Sequence, residues 1–250
     1  MTQVASRLAG NIETAALRIA RRKPLASLEV YDCWLRGMDC LRRGTPQADT
    51  EARVFFKRAL SLDPTYARGY AGISLSHFNE WSCQAWEFWD DKEESAFQNA
   101  RRAAQLDDRD ALIQLVLGRI LVYRRQFDEA ARHVGRAIEL NPNDADVLAH
   151  AAVCLGYLGD PATAFALASK AMRLNPHYPE WYVGGAAVAL FLLGRYSEAL
   201  TMMSRAPQAT VDVPAYQAAA HALSGDAANA ALSLEKFLSN FEEKIAFGCR

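Results

Sequence analysis

The chain has 250 residues, of which 51% are hydrophobic and 23% charged, and its formal net charge is −1. This near balance argues against a general binder of nucleic acid or membrane surfaces, because such proteins normally carry a basic excess. The longest strongly apolar run, 183–193, is much shorter than the roughly 20 residues that a membrane-spanning helix needs.

The N-terminal segment is predicted to be a helix from about Gln3 to Arg22 that ends before Pro24. Its apolar residues Ile12, Ala15 and Ile19 recur at helical spacing on one side, together with Leu8. We assign residues 1–30 to this element and leave two interpretations open. It caps the helices that follow, or it links them to a preceding domain.

A period of 34 residues governs the rest of the sequence. Three segments end alike, at Ala59–Pro64, Ala137–Pro142 and Ala171–Pro176, and a fourth ends at Asp108 where the others have proline. Asp108, Pro142 and Pro176 are 34 residues apart. A fixed period of this length is the signature of a repeated supersecondary unit.

The segment 111–144 shows why this period predicts a helical hairpin. Its first half carries Leu117, Gly118 and Leu121 on a helical stripe, where the glycine allows another helix to approach closely. Ala130, Val134 and Ala137 follow at spacings of four and three, so they share one face of a second helix. Proline at 142 stops that helix.

These residues resemble the tetratricopeptide repeat through Leu117–Gly118, the series Phe127, Ala130, Ala137 and Pro142, and the repeat length. The resemblance implies an all-α fold, an α-α superhelix or solenoid of about six helical hairpins, over residues 31–250. The outer units match more loosely; the turn Arg43–Thr50 looks about three residues too long, and about ten residues are inserted in the second unit. The predicted repeats are 31–66, 67–110 with an insert at 78–91, 111–144, 145–178, 179–210 and 211–244.

The insert at 78–91 is rich in tryptophan, with Trp81, Trp86 and Trp89 close together. Tryptophan is enriched both in packed aromatic clusters and at binding hot spots. The insert is therefore interpreted either as a plug over its own hairpin or as an alternative contact surface for a partner.

No catalytic or metal-binding pattern stands out in the sequence. The five histidines are far apart, and none lies four residues from another as a helical metal pair would. The five cysteines at 33, 40, 83, 154 and 249 form no Cys-x-x-Cys pair, which predicts free thiols, no zinc site and a cytoplasmic location. We therefore expect no enzyme activity, no metal and no cofactor.

The tetratricopeptide resemblance implies that the first helix of each hairpin lines a concave groove that binds a protein or peptide. Read by register, the strongest groove candidates combine aromatic, apolar and charged side chains: Tyr31, Trp34, Met38, Arg68, Leu115, Arg119, Tyr123, Tyr157 and Glu180. The same register adds Ala71, Leu75, Leu112, Asp146, Val153, Val183 and Ala187.

A narrower resemblance comes from the start of the chain. Ala5–Gly10, Arg21–Pro24 and Tyr31–Gly37 are similar to the region that joins catalytic or DNA-binding domains to the repeats in bacterial adenylate/guanylate cyclases and related winged-helix regulators. This resemblance implies a non-catalytic interaction scaffold, the regulatory repeat region of a bacterial signalling protein. The alternative is a self-association module that forms a homodimer. Neither interpretation involves nucleic acid or a membrane.

Overall fold

A computed structural model describes residues 12–84, 89–206 and 213–248, and within them the protein is helical with no β-strand. After a first helix at 12–20 (α1), the described α-helices pair as six hairpins, as the sequence predicts. They are α2 Val30–Leu41 with α3 Pro46–Leu62, α4 Ala67–Asn79 with α5 Trp89–Leu106, α6 Ala111–Tyr123 with α7 Phe127–Leu140, α8 Ala145–Tyr157 with α9 Pro161–Leu174, α10 Glu180–Leu192 with α11 Tyr196–Met203, and α12 Val213–Leu223 with α13 Ala227–Gly248.

The chain divides into two compact units, Met1–Leu140 (unit 1) and Asn141–Arg250 (unit 2). Unit 1 contains α1 to α7 and unit 2 contains α8 to α13. A short 3-10 helix, Leu25–Ser27, precedes α2, and a π-helical turn, Glu80–Gln84, follows α4.

Four of the turns between paired helices share one backbone geometry. Gly159, Gly194 and Gly225 have φ of 87°, 73° and 81°, and Arg125 takes the same left-handed conformation with φ of 60°. The next residue's N–H then donates to a carbonyl five residues earlier, as from Gln126 to Leu121 at 2.9 Å. This is the Schellman geometry that ends a helix and reverses the chain.

Small residues let the two helices of a hairpin approach closely. Ala130, Val134 and Ala137 are fully buried, as their spacing predicts. A Cβ added at Gly118 would lie 2.8 Å from Val134 Cγ2, so the glycine is required by contact between α6 and α7. Aspartates begin several helices; Asp110 Oδ1, for example, accepts from the Leu112 N–H at 2.8 Å.

The N-terminal helix presents a different side to the core from the predicted one. Ile12 and Ile19 are 67% and 60% exposed, whereas Ala20 is buried and Ala16 and Leu17 pack against the cluster around Phe56. A bidentate ion pair from Arg21 to Asp39, with its shortest N–O distance 2.7 Å, also ties this end of α1 to α2. Ile12, Ala15 and Ile19 of the predicted apolar stripe therefore lie on the outer side of the helix, and Leu8 lies outside the described residues.

Extra residues lengthen helices more than loops. The predicted long turn at 43–50 is wrong, because Thr45 caps a helix that already begins at Pro46. In the second hairpin, part of the inserted length forms the π-helical turn Glu80–Gln84, and α5 has 18 residues where α7 and α9 each have 14.

Candidate functional site

The first helices of the hairpins lie side by side within each unit: α2, α4 and α6 in unit 1, and α8, α10 and α12 in unit 2. Their exposed and half-buried side chains form a surface in each unit, which we call the first-helix face. In unit 1 it comprises Tyr31, Met38, Arg68, Arg119 and Tyr123. In unit 2 it comprises Asp146, His150, Val153, Tyr157, Trp181, Val188, Leu192 and Leu223.

Several predicted groove residues are exposed in the structure. Tyr31 is 48% exposed and Tyr123 is 41% exposed. Tyr157 and Glu180 are also exposed, and Met38, Arg68 and Arg119 are half-buried. These side chains are available for contact with a partner, and their binding role stays a prediction.

Trp34 and Leu115 do not line a surface, which corrects the sequence-based assignment. Trp34 is 2% exposed, with its ring centroid 5.7 Å from that of Phe56. Their shared cluster is covered by Ala16 and Leu17 of α1, which a register argument for α2 alone does not include. Four further candidates are also buried: Ala71, Leu75, Val183 and Ala187.

Arg68 joins the second hairpin to the third. Its Nε lies 2.6 Å from Asp110 Oδ2, and its guanidinium lies 5.6 Å from the centroid of the Trp34 ring. Asp110 is also the N-cap of α6, so this pair fixes the start of that helix against α4. The positive charge of Arg68 is therefore already paired with Asp110 before any partner binds.

An aromatic cluster surrounds the end of α4. The Tyr123 ring lies 4.9 Å from Phe78 and 5.6 Å from Trp81, both edge-on, and the Arg119 guanidinium lies 4.6 Å from Phe78. Trp81 is only 6% exposed. At Trp81 the insert is therefore a plug, while Trp86 and the side chain of Trp89 lie outside the described residues.

A buried polar network lies beside this cluster. Glu80, which is 6% exposed, accepts from Arg53 at 2.6 Å and from Lys92 at 2.5 Å. Burial alone would raise the pKa of Glu80, but these two cations hold it below its usual range. Burial lowers the pKa of the neighbouring His77 to about 4. Burial raises the pKa of Asp49 to about 6, although Asn79 donates to that carboxylate at 3.1 Å.

Within the first-helix face of unit 2, α8 and α10 are closely aligned. His150 and Trp181 stack with ring centroids 4.2 Å apart and an interplanar angle of 21°. Tyr182, one residue further, is buried and donates its hydroxyl hydrogen to Asp146, and burial together with this carboxylate raises the pKa of the phenol. A Cβ added at Gly185 would lie 3.1 Å from Val153, so the helix axes approach closely here.

In the fifth hairpin, the strict 34-residue period places the predicted groove positions one residue too early. α8 and α10 both have 13 residues and begin at 145 and 180, a spacing of 35 rather than 34. Trp181, Val188 and Leu192 therefore occupy the positions of Asp146, Val153 and Tyr157. The sequence does contain the signal, because Gly159 and Gly194 at the two turns are also 35 apart.

In the part of the chain that the structure describes, no group of three or more His, Cys, Asp or Glu side chains is arranged to hold a metal ion. Nor does any described helix combine the length and apolar character needed to cross a bilayer.

Comparison with known proteins identifies the fold. The family profile of the tetratricopeptide repeat matches residues 158–223, and no curated protein matches the sequence. The structure of pilF from Pseudomonas aeruginosa aligns with a TM-score of 0.54 at 19% identity, covering 87% of this chain and 96% of that one. TTC0263, a tetratricopeptide protein of Thermus thermophilus, aligns with a TM-score of 0.55 at 20% identity, covering 80% and 100%.

A longer structure aligns with a higher score. The APC/C hetero-tetramer Cut9–Hcn1 gives a TM-score of 0.68 at 16% identity, over 95% of this chain but only 46% of that one. This chain thus spans less than half of that relative. At such identities the likeness shows the fold alone, and the fold is that of tetratricopeptide repeat proteins.

Proposed function

We propose that this protein is a non-catalytic scaffold that binds a protein or peptide on its first-helix faces. The observation that carries the proposal is the placement of large exposed side chains on these helices, including Tyr31, Tyr123 and Tyr157. Aromatic and arginine side chains dominate measured binding energies because they bury much surface per ordered side chain. The tetratricopeptide fold supports this role, since its stacked hairpins offer extended surfaces for partners.

Tyr123 is the anchor that we propose for unit 1. Its ring rests on Phe78 and Trp81, which orient it, while 41% of the side chain stays exposed. Arg119 lies one helical turn earlier, with its guanidinium over Phe78. A partner that covers this pair would meet a preformed aromatic and cationic surface.

The test starts from peptides selected with the full chain from a randomised 12-residue library. Titration calorimetry with the selected peptide should show affinity weakened by about 5- to 20-fold in Tyr123→Ala, or about 1–2 kcal/mol. Phe127→Ala is the matched control, because Phe127 is 49% exposed but begins a second helix. Full affinity in Tyr123→Ala, with loss in Trp86→Ala, would place the site on the insert instead.

We also propose that the chain is the regulatory repeat region of a bacterial, cyclase-type signalling protein and works in the cytoplasm. The supporting observation is the set of segments Ala5–Gly10, Arg21–Pro24 and Tyr31–Gly37. The genomic sequence upstream of Met1 tests it. An in-frame cyclase or winged-helix domain would support the proposal, and an in-frame stop codon close to Met1 would contradict it.

Nucleic acid is excluded from the proposed partners on charge. The formal net charge of −1 gives little of the counterion release that drives nucleic-acid binding. The chain should therefore not retain labelled single-stranded RNA in a filter-binding assay at 150 mM salt. Retention at micromolar protein would contradict this part of the proposal.

Self-association is the second candidate, and α13 favours it. Leu232, Leu234 and Leu238 are 64%, 49% and 48% exposed, and exposed apolar patches often mark interfaces. Light scattering across concentration separates the two functions. A mass that stays at 27.7 kDa supports a monomeric scaffold, whereas a dimer that Leu234→Glu dissociates and Ser239→Glu does not would favour self-association.

A further inference from the structure

Three exposed apolar side chains occupy equivalent positions in the three hairpins of unit 2. Tyr157 and Leu192 are the last residues of α8 and α10, and Leu223 is the last residue of α12. They are 46%, 44% and 60% exposed. A Cβ added at Gly156 would lie 3.5 Å from Leu192 Cδ1, which shows that the ends of α8 and α10 adjoin. We call these three residues the apolar row.

The middle of the same face is apolar and half-buried. His150 and Trp181 stack there, and Val153 packs at the position of Gly185. Because Gly185 has no side chain, the main chain of a bound peptide could lie close to the helices at this point. The apolar row is therefore continuous with the apolar side chains in the middle of the face.

The charge on these helices has one sign. The sequences of α8, α10 and α12 contain no lysine or arginine. Their acidic residues are Asp146 and Glu180, both exposed, in the first turn of α8 and α10. In unit 1, by contrast, α4 carries Arg68 and α6 carries Arg119.

We propose that the first-helix face of unit 2 binds a peptide segment with apolar side chains at one end and Lys or Arg at the other. This proposal rests on the scaffold function proposed above and specifies the chemistry of the peptide that the scaffold binds. Apolar side chains of the peptide cover Tyr157 and Leu192, and its cation lies near Asp146 and Glu180, because electrostatic complementarity favours opposite charges across an interface.

The length of the helices sets the spacing in the ligand. Asp146 and Tyr157 are eleven residues apart on one side of α8, which corresponds to about 16 Å at 1.5 Å per residue. An extended peptide rises about 3.3 Å per residue, so the cation and the apolar side chain should lie about five residues apart.

Two labelled 12-residue peptides test the proposal with the full chain by fluorescence anisotropy. Both carry the same two leucines in a glycine and serine background; one has two lysines five residues away, and the other has glutamates there. The lysine peptide should bind at least 10-fold more tightly, and the difference should shrink between 50 and 300 mM salt. Equal binding of the glutamate peptide would overturn the proposal.

Variants locate the site. Leu192→Ser should weaken binding of the lysine peptide at least 5-fold, and Leu62→Ser, a similarly exposed leucine at the end of α3, should leave it unchanged. Glu180→Gln should reduce the preference for lysine over glutamate. Thermal unfolding followed by circular dichroism confirms that each variant is folded.

The outcomes also separate this inference from the scaffold function. Binding that survives Leu192→Ser but is lost in Tyr123→Ala overturns the inference and leaves the scaffold function standing. The same holds if library-selected peptides bind and neither designed peptide does. If no peptide of either kind binds, both the inference and the scaffold function are wrong.

Discussion

The two units use the same hairpin but fill it with different side chains. In unit 2 the interior around α8, α9 and α10 is made of alanines, including Ala152, Ala164, Ala168 and Ala186, all at most 1% exposed. In unit 1 an aromatic ring takes that place, since Phe56 lies where Cβ atoms on Gly37 and Gly72 would be. Where small residues fill the hairpin interior, the sequence period stays regular. A ring as large as that of Phe56 fits only because both neighbouring helices, α2 and α4, carry a glycine beside it.

Charge also differs between the units. The interior of unit 1 contains Asp49 and Glu80, which are 0% and 6% exposed, beside the π-helical turn of the inserted segment. The described buried residues of unit 2 include no side chain with a formal charge. An insertion thus brings polar groups inside, where each needs a partner.

The largest expected effect comes from removing the charge at the centre of the unit 1 network. Glu80→Gln would leave Arg53 and Lys92 facing a neutral amide, and an uncompensated buried charge costs about 3–5 kcal/mol. Urea unfolding should show this loss. The control is Glu198→Gln, whose exposed pair with Arg195 should contribute little to stability because solvent screens it. Similar midpoints for both variants would contradict a structural role for the network.

Asp49 should make unit 1 sensitive to pH. Its pKa is raised by burial from 3.8 to about 6, so the folded state prefers the protonated carboxyl. That stabilisation is fully present below pH 3.8 and is lost as the pH rises through 6. Asp49→Asn mimics the neutral form, so at pH 8 it should be more stable than the parent by about 3 kcal/mol.

The pH dependence supplies the control for Asp49. At pH 4 the variant and the parent should unfold at nearly the same urea concentration, because the aspartic acid is then neutral too. A constant difference between the two proteins from pH 4 to pH 8 would show that this carboxyl does not titrate with a raised pKa.

Overpacking should affect both units alike. Ala130 and Ala164 begin the second-helix stripes of the third and fourth hairpins, and both are fully buried. Replacing either with Leu adds methylene groups where there is no room and should cost about 1–3 kcal/mol. Ala131→Leu, on a less buried neighbour, should change stability little. A denaturant midpoint unchanged by Ala130→Leu would contradict the register of the third hairpin.

The sequence predicts the fold well because the period is carried by small buried residues and helix-stopping prolines. Ala137, Pro142, Ala171 and Pro176 mark both the spacing and the helix ends, and neither depends on distant contacts. In the structure the helices of the third hairpin span 111–140 and those of the fourth span 145–174. The insert interrupts this period. No local sequence pattern predicts that its residues form a π-helical turn.

The candidate site was harder to predict because exposure depends on neighbouring elements. Trp34 has the register of a surface residue, yet it lies in a cluster that α1 helps to cover. Trp181 and Leu192 were missed because the fifth hairpin starts one residue late relative to a strict 34-residue period. Helix register fixes which residues share a side, but it leaves open which sides stay uncovered.

The smallest expected effect tests whether the turns of the two units are equivalent. Arg125 has φ of 60°, where the turns of unit 2 have glycine. A residue with a Cβ is strained in this left-handed conformation, and glycine is not, although glycine has more entropy to lose on folding. Arg125→Gly should therefore stabilise the protein by about 0.5–1 kcal/mol, measured by thermal unfolding. The reverse change, Gly159→Arg, should destabilise by a similar amount, since a Cβ there would meet no atom within 4 Å and only the backbone is strained. Loss of stability in Arg125→Gly would mean that the arginine side chain contributes contacts that outweigh its backbone strain, and the two turns would then not be equivalent.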